Sequence, residues 1–416
     1  MKILQINNYH YLKGGSERVY FETAKILEKN GHDVLFFSVK DEGSEKHYSE
    51  KYFVKPFNYN NESALKKIQH TTEFIYNKEA KTNLELLIKN EKPDIAHLHI
   101  FYGRLTSSIL PILKKYNIPV VMSVHEYRML CPAYVMRDNN GEICEKCADG
   151  NYFHCIIGKC IKKNLVYSSI AALECFVRDR FISYEEHIDR FIMVSQFIMD
   201  KHIQYKPSMK SKSTQIYNFL DLSNYSPNTS HQNYYVYFGR LSREKGILTL
   251  LNAWRNFPDL QLKIVGGGEL EKDVIKFIDE HNMSNVELMG YLSGDTLFDV
   301  VKKSKFVFVP SEWYENNPMN VIESFALGKP VIGARIGGIP ELIKEGFNGY
   351  LFESGNLDDL TNTIKRAESV SDDEYLRFAN NARKFAEEHF NETKYYLELL
   401  KIYEELLIGK NSRINN

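Results

Sequence analysis

The sequence predicts an α/β protein with two units, each a parallel sheet covered by crossover helices. Short β-rich runs alternate with turn signals and with stretches of ten or more residues in helical period, which is typical of parallel strands joined by helices. The pattern occurs twice and is lost between residues 200 and 233, where Ser, Lys, Asn, Pro and Tyr dominate. A chain of 416 residues is long enough for two or three domains. We expect domains at 1–205 and 233–390, a linker at 206–232, and a C-terminal helix at 391–416.

The composition is that of a globular protein without a bulk electrostatic preference. Apolar residues make up 43% and charged residues 26%, which excludes a disordered or collagenous chain. The net charge of -1 provides no attraction toward nucleic acid, so we expect no nucleic-acid partner. The N-terminus does not resemble a signal peptide, and no run reaches the ~18 apolar residues of a membrane span. We expect a cytoplasmic protein whose membrane contact, if there is one, is peripheral and at the inner face of the cell membrane.

The first unit opens with a strand, a glycine turn and a helix. Lys2 to Asn7 is a β-rich run, Gly14-Gly15-Ser16-Glu17 forms the turn, and apolar positions then recur at helical spacing until Asn30-Gly31. Free backbone amides and the helix dipole at this turn would attract a phosphate. The spacing departs from the G-x-G-x-x-G pattern of dinucleotide sites, so NAD is disfavoured, and a tight turn without a ligand is the alternative. Further strands are expected at 34–39, 95–100, 120–124 and 191–194.

The second unit has uninterrupted apolar strands, as expected for a sheet covered on both faces. Its first strand is followed by GRLSREKG, residues 239–246, which presents Arg240 and Lys245 beside a helix start. A planar guanidinium and an ammonium together can neutralise a nucleotide diphosphate without a metal ion. A solvated charged turn is the alternative. Strands are expected at 234–238, 260–265, 285–289, 306–310, 331–334 and 350–352.

Two glutamates follow the strand at 306–310. Glu315 lies in the loop after it, and Glu323 lies eight residues later in a helix that Asn317-Pro318 opens. A loop carboxylate can bind sugar hydroxyls, and a helix carboxylate can accept hydrogen bonds from both hydroxyls of a ribose. Asn316, Asn317 and the helix N-terminus add hydrogen-bond donors between them. Two ordinary surface acids are the alternative.

Several motifs stand together in an order and spacing that one enzyme family shares. The motifs are GRLSREKG, Gly266-Gly267-Gly268-Glu269, Glu315-x7-Glu323, Gly337-Gly338-Ile339-Pro340-Glu341, Gly14-Gly15 and Ser123-Val124-His125-Glu126. In these segments the chain resembles the retaining glycosyltransferase family 4 over nearly its whole length. The resemblance implies a GT-B fold, in which two Rossmann-like domains face each other across a cleft and the second holds a nucleotide-sugar. The helical segment from Tyr395 to Leu407 is long enough to cross back to the first domain.

The resemblance also implies roles for individual residues. Arg240 and Lys245 would hold the pyrophosphate of the nucleotide-sugar, Glu323 its ribose, and Glu315 the transferred sugar. His125 would face that sugar. The implied catalytic residues are His125, Glu315, Arg240 and Lys245. The implied nucleotide-sugar-binding residues are Gly14, Gly15, Gly239, Arg240, Lys245, Gly267, Asn316, Asn317 and Glu323.

One segment departs from the family pattern. Family members often have His-Asp where this chain has His125-Glu126, which leaves the role of Glu126 open. Taken without the family, His125 is a polar residue at a strand end that a neighbouring group satisfies. Both interpretations of His125 are carried forward.

The reaction implied by the resemblance retains the anomeric configuration. The departing phosphate would deprotonate the acceptor hydroxyl on the same face, while Arg240 and Lys245 stabilise the developing charge. This scheme requires no cofactor and no catalytic metal. The substrates would be a nucleoside-diphosphate sugar and a glycan or polyprenyl-linked acceptor of cell-surface polysaccharide biosynthesis. The alternatives are a sugar-nucleotide epimerase or phosphorylase-like enzyme, a nonenzymatic sugar-nucleotide binder, and a two-carboxylate glycosidase, which the phosphate-binding pair disfavours.

Five cysteines fall within thirty residues, in an insertion at 131–160. Their spacing is compatible with a structural tetrahedral zinc site, since turn-forming residues separate a C-x2-C pair from a C-x4-C pair. Reduced thiols packed in the insertion are the alternative. The expected zinc ligands are Cys144, Cys147, Cys155 and Cys160.

A basic segment with helical period follows the cysteines. Lys159, Lys162 and Lys163 precede apolar positions at helical spacing from Leu165 to Phe181, with Arg178 and Arg180 nearby. Such a helix can lie on an anionic membrane and receive a lipid-linked acceptor. A core helix with a solvated face is the alternative.

Overall fold

The computed structural model describes residues 1–56 and 64–414. The chain forms two compact units, each built on a six-stranded sheet whose neighbouring strands pair in parallel. Unit 1 comprises Met1–Ile216 and Tyr395–Asn416, and unit 2 comprises Tyr217–Lys394. The chain therefore passes from one unit to the other at 216–217 and returns at 394–395.

Unit 1 contains the sheet β2-β1-β3-β4-β5-β6. Its five longer predicted strands are confirmed, although β3 ends two residues earlier than expected. The strands are β1 Lys2–Tyr9, β2 Asp33–Val39, β3 Ile95–Leu98, β4 Val120–Val124, β5 Arg190–Met193 and β6 Ser213–Gln215. The helices are α1 Gly15–Lys29, α2 Ala64–Ile75, α3 Lys78–Glu91, α4 Leu110–Lys115, α5 Phe153–Ile157, α6 Leu165–Phe181, α7 Tyr184–His187 and α8 Gln196–Tyr205.

The segment expected as a linker, 206–232, contains regular structure. Pro207–Lys212 is a 3-10 helix, and β6 pairs in parallel with β5 at the edge of the sheet. The sequence of β6 is Ser-Thr-Gln, and all three residues are half-buried. A strand this short and polar has no apolar alternation to reveal it, because its place depends on backbone pairing with β5.

Unit 2 contains the sheet β12-β11-β10-β7-β8-β9, and its six predicted strands are confirmed. Side chains alternate between the two faces, so Tyr235 and Tyr237 of β7 join one core cluster while Val236 and Phe238 join the other. The strands are β7 Tyr234–Phe238, β8 Gln261–Val265, β9 Val286–Gly290, β10 Val307–Val309, β11 Val331–Ala334 and β12 Gly349–Phe352. The helices are α9 Ile247–Trp254, α10 Glu271–Glu280, α11 Gly294–Val301, α12 Met319–Ala326, α13 Ile339–Leu342, α14 Leu357–Glu368 and α15 Asp372–His389.

The last helix, α16 Glu392–Ile414, returns to unit 1 as predicted. The Tyr395 hydroxyl is 3.0 Å from Thr23 Oγ1, and the Tyr403 hydroxyl is 2.7 Å from His97 Nδ1. Tyr403 is fully buried. Residues 415 and 416 of the expected crossover helix lie outside the described residues.

The strand order creates one switch point in each sheet. In unit 2 the chain runs from β7 outward to β9 and then resumes at β10 on the other side of β7. The carboxyl edge between β7 and β10 is therefore the position at which open α/β sheets bind ligands. The loops after β7 and β10 carry the Arg240–Lys245 and Glu315 motifs.

Candidate active site

Three loops meet at the carboxyl edge of unit 2. Gly246, after β7, has φ of +69°, and a Cβ there would lie 1.8 Å from the carbonyl oxygen of Pro310, which follows β10. Only glycine accepts both this conformation and this approach. The backbone amide of Leu241 donates to the carbonyl of Gly267, after β8, at 2.9 Å. The three loops are thus held against one another by backbone contacts.

Two predicted residues, Lys245 and Glu315, form an ion pair at this edge. Lys245 Nζ lies 2.6 Å from Glu315 Oε1, and the Ser311 hydroxyl donates to the same oxygen at 2.7 Å. Glu315 is only 6% exposed. Burial raises the pKa of Glu315, but the positive charge of Lys245 and the hydrogen bonds from Lys245 and Ser311 outweigh it and hold the pKa below its usual value. Glu315 is therefore a carboxylate at neutral pH.

The backbone of Glu315 is positioned by the second glycine motif. Gly337 has φ of +60°, and a Cβ there would lie 2.3 Å from the carbonyl oxygen of Glu315. The backbone amide of Gly338 donates to the same oxygen at 2.6 Å. The segment 337–341 thus packs directly against the Glu315 loop, which gives this motif a physical reason.

Arg240 is held at the rim of the same edge, with its side chain largely exposed. Its Nη2 lies 2.6 Å from Glu244 Oε1, and the Ser242 hydroxyl donates to that oxygen at 2.7 Å. Burial raises the pKa of Glu244, but the hydrogen bond from Ser242 and the charge of Arg240 lower it overall. Sequence reasoning missed Glu244, although its position four residues after Arg240 was a usable signal.

The asparagines that follow Glu315 take different positions. The backbone amide of Asn218 donates to Asn317 Oδ1 at 2.8 Å, so the start of unit 2 orients this side chain. Asn317 Nδ2 is buried and has no hydrogen-bond partner among the described residues, so it could donate to a ligand. Asn316 is half-buried beside it. Asn218 was not predicted, since it lies in the segment expected as a linker.

Glu323 lies inside α12, which begins after Pro318 as predicted. Its side chain is buried in the second turn of the helix. The Gly239 amide donates to the Val265 carbonyl at 3.0 Å and so joins the ends of β7 and β8. Glu323 and Gly239 therefore belong to elements that border the carboxyl edge.

In unit 1, His125 belongs to a row of three stacked imidazoles. His99 Nδ1 lies 3.1 Å from His125 Nε2, and His99 Nε2 lies 2.9 Å from Gln5 Oε1. The ring centroids of His97 and His99 are 4.6 Å apart, and those of His99 and His125 are 5.3 Å apart. Burial lowers the pKa of His125 to about 4. Burial, followed by the charge of His125, lowers the pKa of His97 to about 3. All three rings are therefore neutral at pH 7.

Sequence reasoning found His125 but not its two partners. His97 and His99 alternate along and just beyond the buried strand β3, so they point to the same side of the sheet. Paired histidines in an otherwise apolar strand were the missed signal. His99 is thus the neighbouring group that was expected to contact His125 as a polar residue at a strand end. A contact between His125 and a substrate stays a prediction.

Glu126 lies beside the glycine turn of unit 1. Burial raises its pKa to about 7; Arg128 and Lys13 oppose this rise, and Glu17 adds to it. Gly14 precedes α1 in an extended conformation, and Gly15 is the first residue of the helix. Glu126 therefore titrates near neutral pH close to a helix N-terminus.

The cysteines are all free thiols. Cys147 and Cys155 are buried in one small core with Cys175, and Cys160 packs against it. Burial, followed by neighbouring thiols, raises the pKa of Cys147 to about 12. Within residues 1–56 and 64–414, no three Cys, His, Asp or Glu side chains are placed to share a metal ion. The structure thus does not bring the four cysteines into a ligand set, and a zinc site at Cys144, Cys147, Cys155 and Cys160 stays a prediction.

Family models match almost the whole chain. The model described as Glycosyltransferase Family 4 matches residues 13–224, and the model described as Glycosyl transferases group 1 matches residues 222–385. The crystal structure of Anabaena HepE in complex with UDP superposes with a TM-score of 0.69 at 18% identity, covering 97% of this chain and 100% of that one. This likeness identifies the fold as GT-B.

Curated relatives match different shares of the chain. An uncharacterized glycosyltransferase of Methanocaldococcus jannaschii is 31% identical over 219 residues, which are 52% of this chain and 60% of that protein. An uncharacterized 42.6 kDa protein in the cps region of Klebsiella pneumoniae is 26% identical over 85% of this chain and 90% of that protein. An Escherichia coli enzyme named UDP-Gal:alpha-D-GlcNAc-diphosphoundecaprenol alpha-1,3-galactosyltransferase is 29% identical over 37% of this chain and 39% of its own length. Because one family model alone matches more than half of the chain, the chain belongs to glycosyltransferase family 4.

Proposed function

We propose that the chain is a retaining glycosyltransferase that transfers a sugar from a nucleoside-diphosphate sugar to a glycan or polyprenyl-linked acceptor in cell-surface polysaccharide biosynthesis. The observation that carries the proposal is the Lys245–Glu315 pair at the switch point of unit 2, with Arg240 on the same loop as Lys245. This edge offers cations for a diphosphate beside a carboxylate for sugar hydroxyls. The UDP bound by the Anabaena relative and the diphosphoundecaprenol named for the E. coli relative support these substrate classes.

Each residue of the edge has a part in binding the nucleotide-sugar. Arg240 and Lys245 neutralise the diphosphate, and Glu323 accepts hydrogen bonds from the ribose hydroxyls. Glu315 accepts hydrogen bonds from hydroxyls of the transferred sugar, as a carboxylate with a lowered pKa can do. Asn316, Asn317 and the backbone at Gly267 supply hydrogen-bond donors, and Gly239 joins the ends of β7 and β8 beside them.

The chemical step follows from the charge that these residues stabilise. The bond between the anomeric carbon and the phosphate oxygen breaks while a bond to the acceptor oxygen forms on the same face. The proton of the acceptor hydroxyl passes to the departing phosphate. Because the acceptor oxygen bonds on the face that the phosphate leaves, the anomeric configuration is retained. Arg240 and Lys245 stabilise the charge of the departing diphosphate, and we propose that catalysis requires no metal ion.

Unit 1 is the proposed acceptor domain, with Gly14 and Gly15 at the N-terminus of α1 available to an anionic group. We assign His125 to contact with a substrate hydroxyl. A neutral imidazole can donate or accept a hydrogen bond, and the chain of contacts from His125 through His99 to Gln5 orients the ring.

Release of free nucleotide from a panel of nucleotide-sugars, measured with the full-length protein, tests this proposal. We expect slow hydrolysis of one donor without an acceptor, lowered roughly 10² to 10³-fold in Arg240→Ala. Arg255→Ala, on the turn after α9, serves as the control. An epimerised nucleotide-sugar would indicate an epimerase, and a requirement for inorganic phosphate would indicate a phosphorylase. Binding without turnover of any donor, unaffected by loss of His125, would indicate a nonenzymatic binder.

A further inference from the structure

Helix α6 exposes several large apolar side chains and buries two of its charged ones. Leu173, Phe176 and Phe181 are 49%, 58% and 69% exposed, whereas Glu174 and Arg178 are buried. The exposed residues recur at intervals that put them on one side of a helix. An ordinary surface helix buries its large apolar side chains and exposes its charged ones. Each of the two expected arrangements, a basic helix on an anionic membrane and a core helix with a solvated face, therefore describes α6 only in part.

The buried charges of α6 are paired inside unit 1. Arg128 Nη2 lies 2.7 Å from Glu174 Oε2, and Arg178 Nε lies 2.7 Å from Asp179 Oδ1. Arg178 also donates to the backbone carbonyl of Arg128 at 3.1 Å. Arg178 therefore adds no charge to the outer surface, because this ion network holds it inside. Arg180 is the exposed charged residue of α6, and the other exposed residues of the helix are apolar or tyrosine.

A neighbouring helix extends the apolar surface. In α5, which packs against α6, Phe153 and Ile157 are four residues apart and both largely exposed. Together, Phe153 and Ile157 of α5 and Leu173, Phe176 and Phe181 of α6 are called the apolar face below. In the described part of the chain, no helix is long and apolar enough to cross a membrane.

The exposed charges within the segment that contains the apolar face are basic. Between residues 150 and 181, the exposed charged side chains are Lys159, Lys162, Lys163 and Arg180, and the exposed acid Asp149 lies just before this segment. Lys162 Nζ lies 5.4 Å from the ring centroid of Tyr167, and the Arg180 guanidinium carbon lies 5.7 Å from that of Phe181. The one partly exposed acid, Asp179, is paired with Arg178 and Lys206. Cations thus stand directly beside exposed aromatic rings.

We propose that the apolar face and its lysines dock unit 1 onto an anionic lipid membrane surface. Aromatic and aliphatic side chains would enter the interface between headgroups and acyl chains, while the ammonium groups contact lipid phosphates. Charge complementarity favours lipid over a second copy, because two copies paired through this face would bring their own lysines together. The inference deepens the proposed function, since a polyprenyl-linked acceptor lies at such a surface.

Vesicle co-sedimentation of the full-length protein tests the docking. We expect binding to phosphatidylcholine vesicles with about one third phosphatidylglycerol, weakened by salt, and far less binding to phosphatidylcholine alone. Phe176→Asp with Phe181→Asp should lower the partition coefficient by at least about tenfold. A triple change of Lys159, Lys162 and Lys163 to Gln should lower it roughly 10- to 100-fold on anionic vesicles.

A matched control comes from another exposed apolar residue of unit 1. Ile408 of α16 is 70% exposed and outside the apolar face, so Ile408→Asp should bind vesicles like the unchanged protein. Circular dichroism of each variant establishes that the fold is kept. Equal binding by the Phe176/Phe181 variant and the unchanged protein would overturn the inference, as would binding that ignores lipid charge. Self-association of the unchanged protein that the same variant abolishes would assign the face to a second copy instead.

Donor hydrolysis without vesicles separates this inference from the proposed function. The apolar-face variants should hydrolyse the nucleotide-sugar at the unchanged rate, because none of the substituted residues is assigned to nucleotide-sugar binding or to the reaction. Donor hydrolysis without vesicle binding would contradict the membrane docking and support the glycosyltransferase function. Vesicle binding without hydrolysis of any donor would support the docking and contradict the glycosyltransferase function.

Discussion

Replacing Lys245 with alanine should destabilise unit 2 as well as reduce turnover. The substitution leaves Glu315 buried with its Ser311 hydrogen bond but without the positive charge 2.6 Å away. Removing one partner of a buried ion pair typically costs 3 to 5 kcal/mol, and Lys245 is partly exposed, so we expect a loss of about 3 kcal/mol in the free energy of unfolding. Turnover should fall roughly 10² to 10³-fold through loss of the diphosphate contact.

The pH dependence of stability should change sign in this variant. In the unchanged protein the pKa of Glu315 is lowered, so its contribution is fully present above the unfolded pKa of about 4.3 and is lost as the pH falls. Without Lys245, burial dominates and the folded pKa rises above the unfolded one. The folded state then binds more protons, so the free energy of unfolding decreases as the pH rises from about 4.3 toward the raised pKa.

Tryptophan fluorescence during urea unfolding measures this effect in unit 2 alone. Both tryptophans, Trp254 and Trp313, lie in that unit, and Trp254 is fully buried. Adding Glu315→Gln to Lys245→Ala should restore part of the stability, because no buried charge remains, but it should not restore turnover. Lys302→Ala, which removes an exposed pair with Asp299, should leave the free energy of unfolding nearly unchanged.

Two results would refute this reasoning. Equal stability of Lys245→Ala and the unchanged protein at neutral pH would show that the pair contributes no net free energy. A double variant with normal turnover would show that neither side chain contacts the diphosphate or the sugar.

Three further predictions concern the ribose contact, the stereochemistry and the cysteines. Glu323→Ala should weaken nucleotide binding in isothermal titration while leaving the fold intact, and an unchanged affinity would remove Glu323 from the ribose contact. The NMR spectrum of the product should show the anomeric configuration of the donor, with turnover unaffected by a chelator that spares structural zinc; an inverted linkage would rule out the phosphate as base. Protein purified without added metal or chelator should carry about one zinc ion per chain bound by thiolates in the insertion. Elemental analysis decides this last point, and a value well below half an ion would favour the reduced thiols at Cys144, Cys147, Cys155 and Cys160 that the structure shows.

The two sheets could be predicted because their strands are continuous apolar runs bounded by glycine, proline or asparagine. The strand β7 and its GRLSREKG loop illustrate this, since apolar burial on both faces of the sheet leaves little choice of structure. Strand β6 could not be predicted in this way, because its polar residues are placed by pairing with β5. The burial of Arg178 could not be predicted for a related reason: besides Glu174 and Asp179 on its own helix, its partners include the carbonyl of Arg128, 50 residues away, about which periodicity carries no information.

The site was predicted where motifs carry it and missed where contacts between distant residues carry it. Lys245 and Glu315 were both identified, but their direct pairing was not, because 70 residues separate them. Asn218 contacts the predicted residue Asn317, and His99 contacts the predicted residue His125, but both lie in segments with no motif of their own. Residues that orient a functional side chain through one hydrogen bond leave little trace in the composition or spacing of a sequence.

The path of the chain has a consequence for the order in which the protein matures during synthesis. Unit 2 is contiguous, whereas unit 1 is completed only by α16, which is translated after all of unit 2. Until α16 emerges from the ribosome, the buried His97 lacks the Tyr403 hydroxyl, one of its two hydroxyl partners, and the buried Thr23 lacks the Tyr395 hydroxyl. The N-terminal unit should therefore reach its final packing last, after the domain that follows it in the chain has already folded.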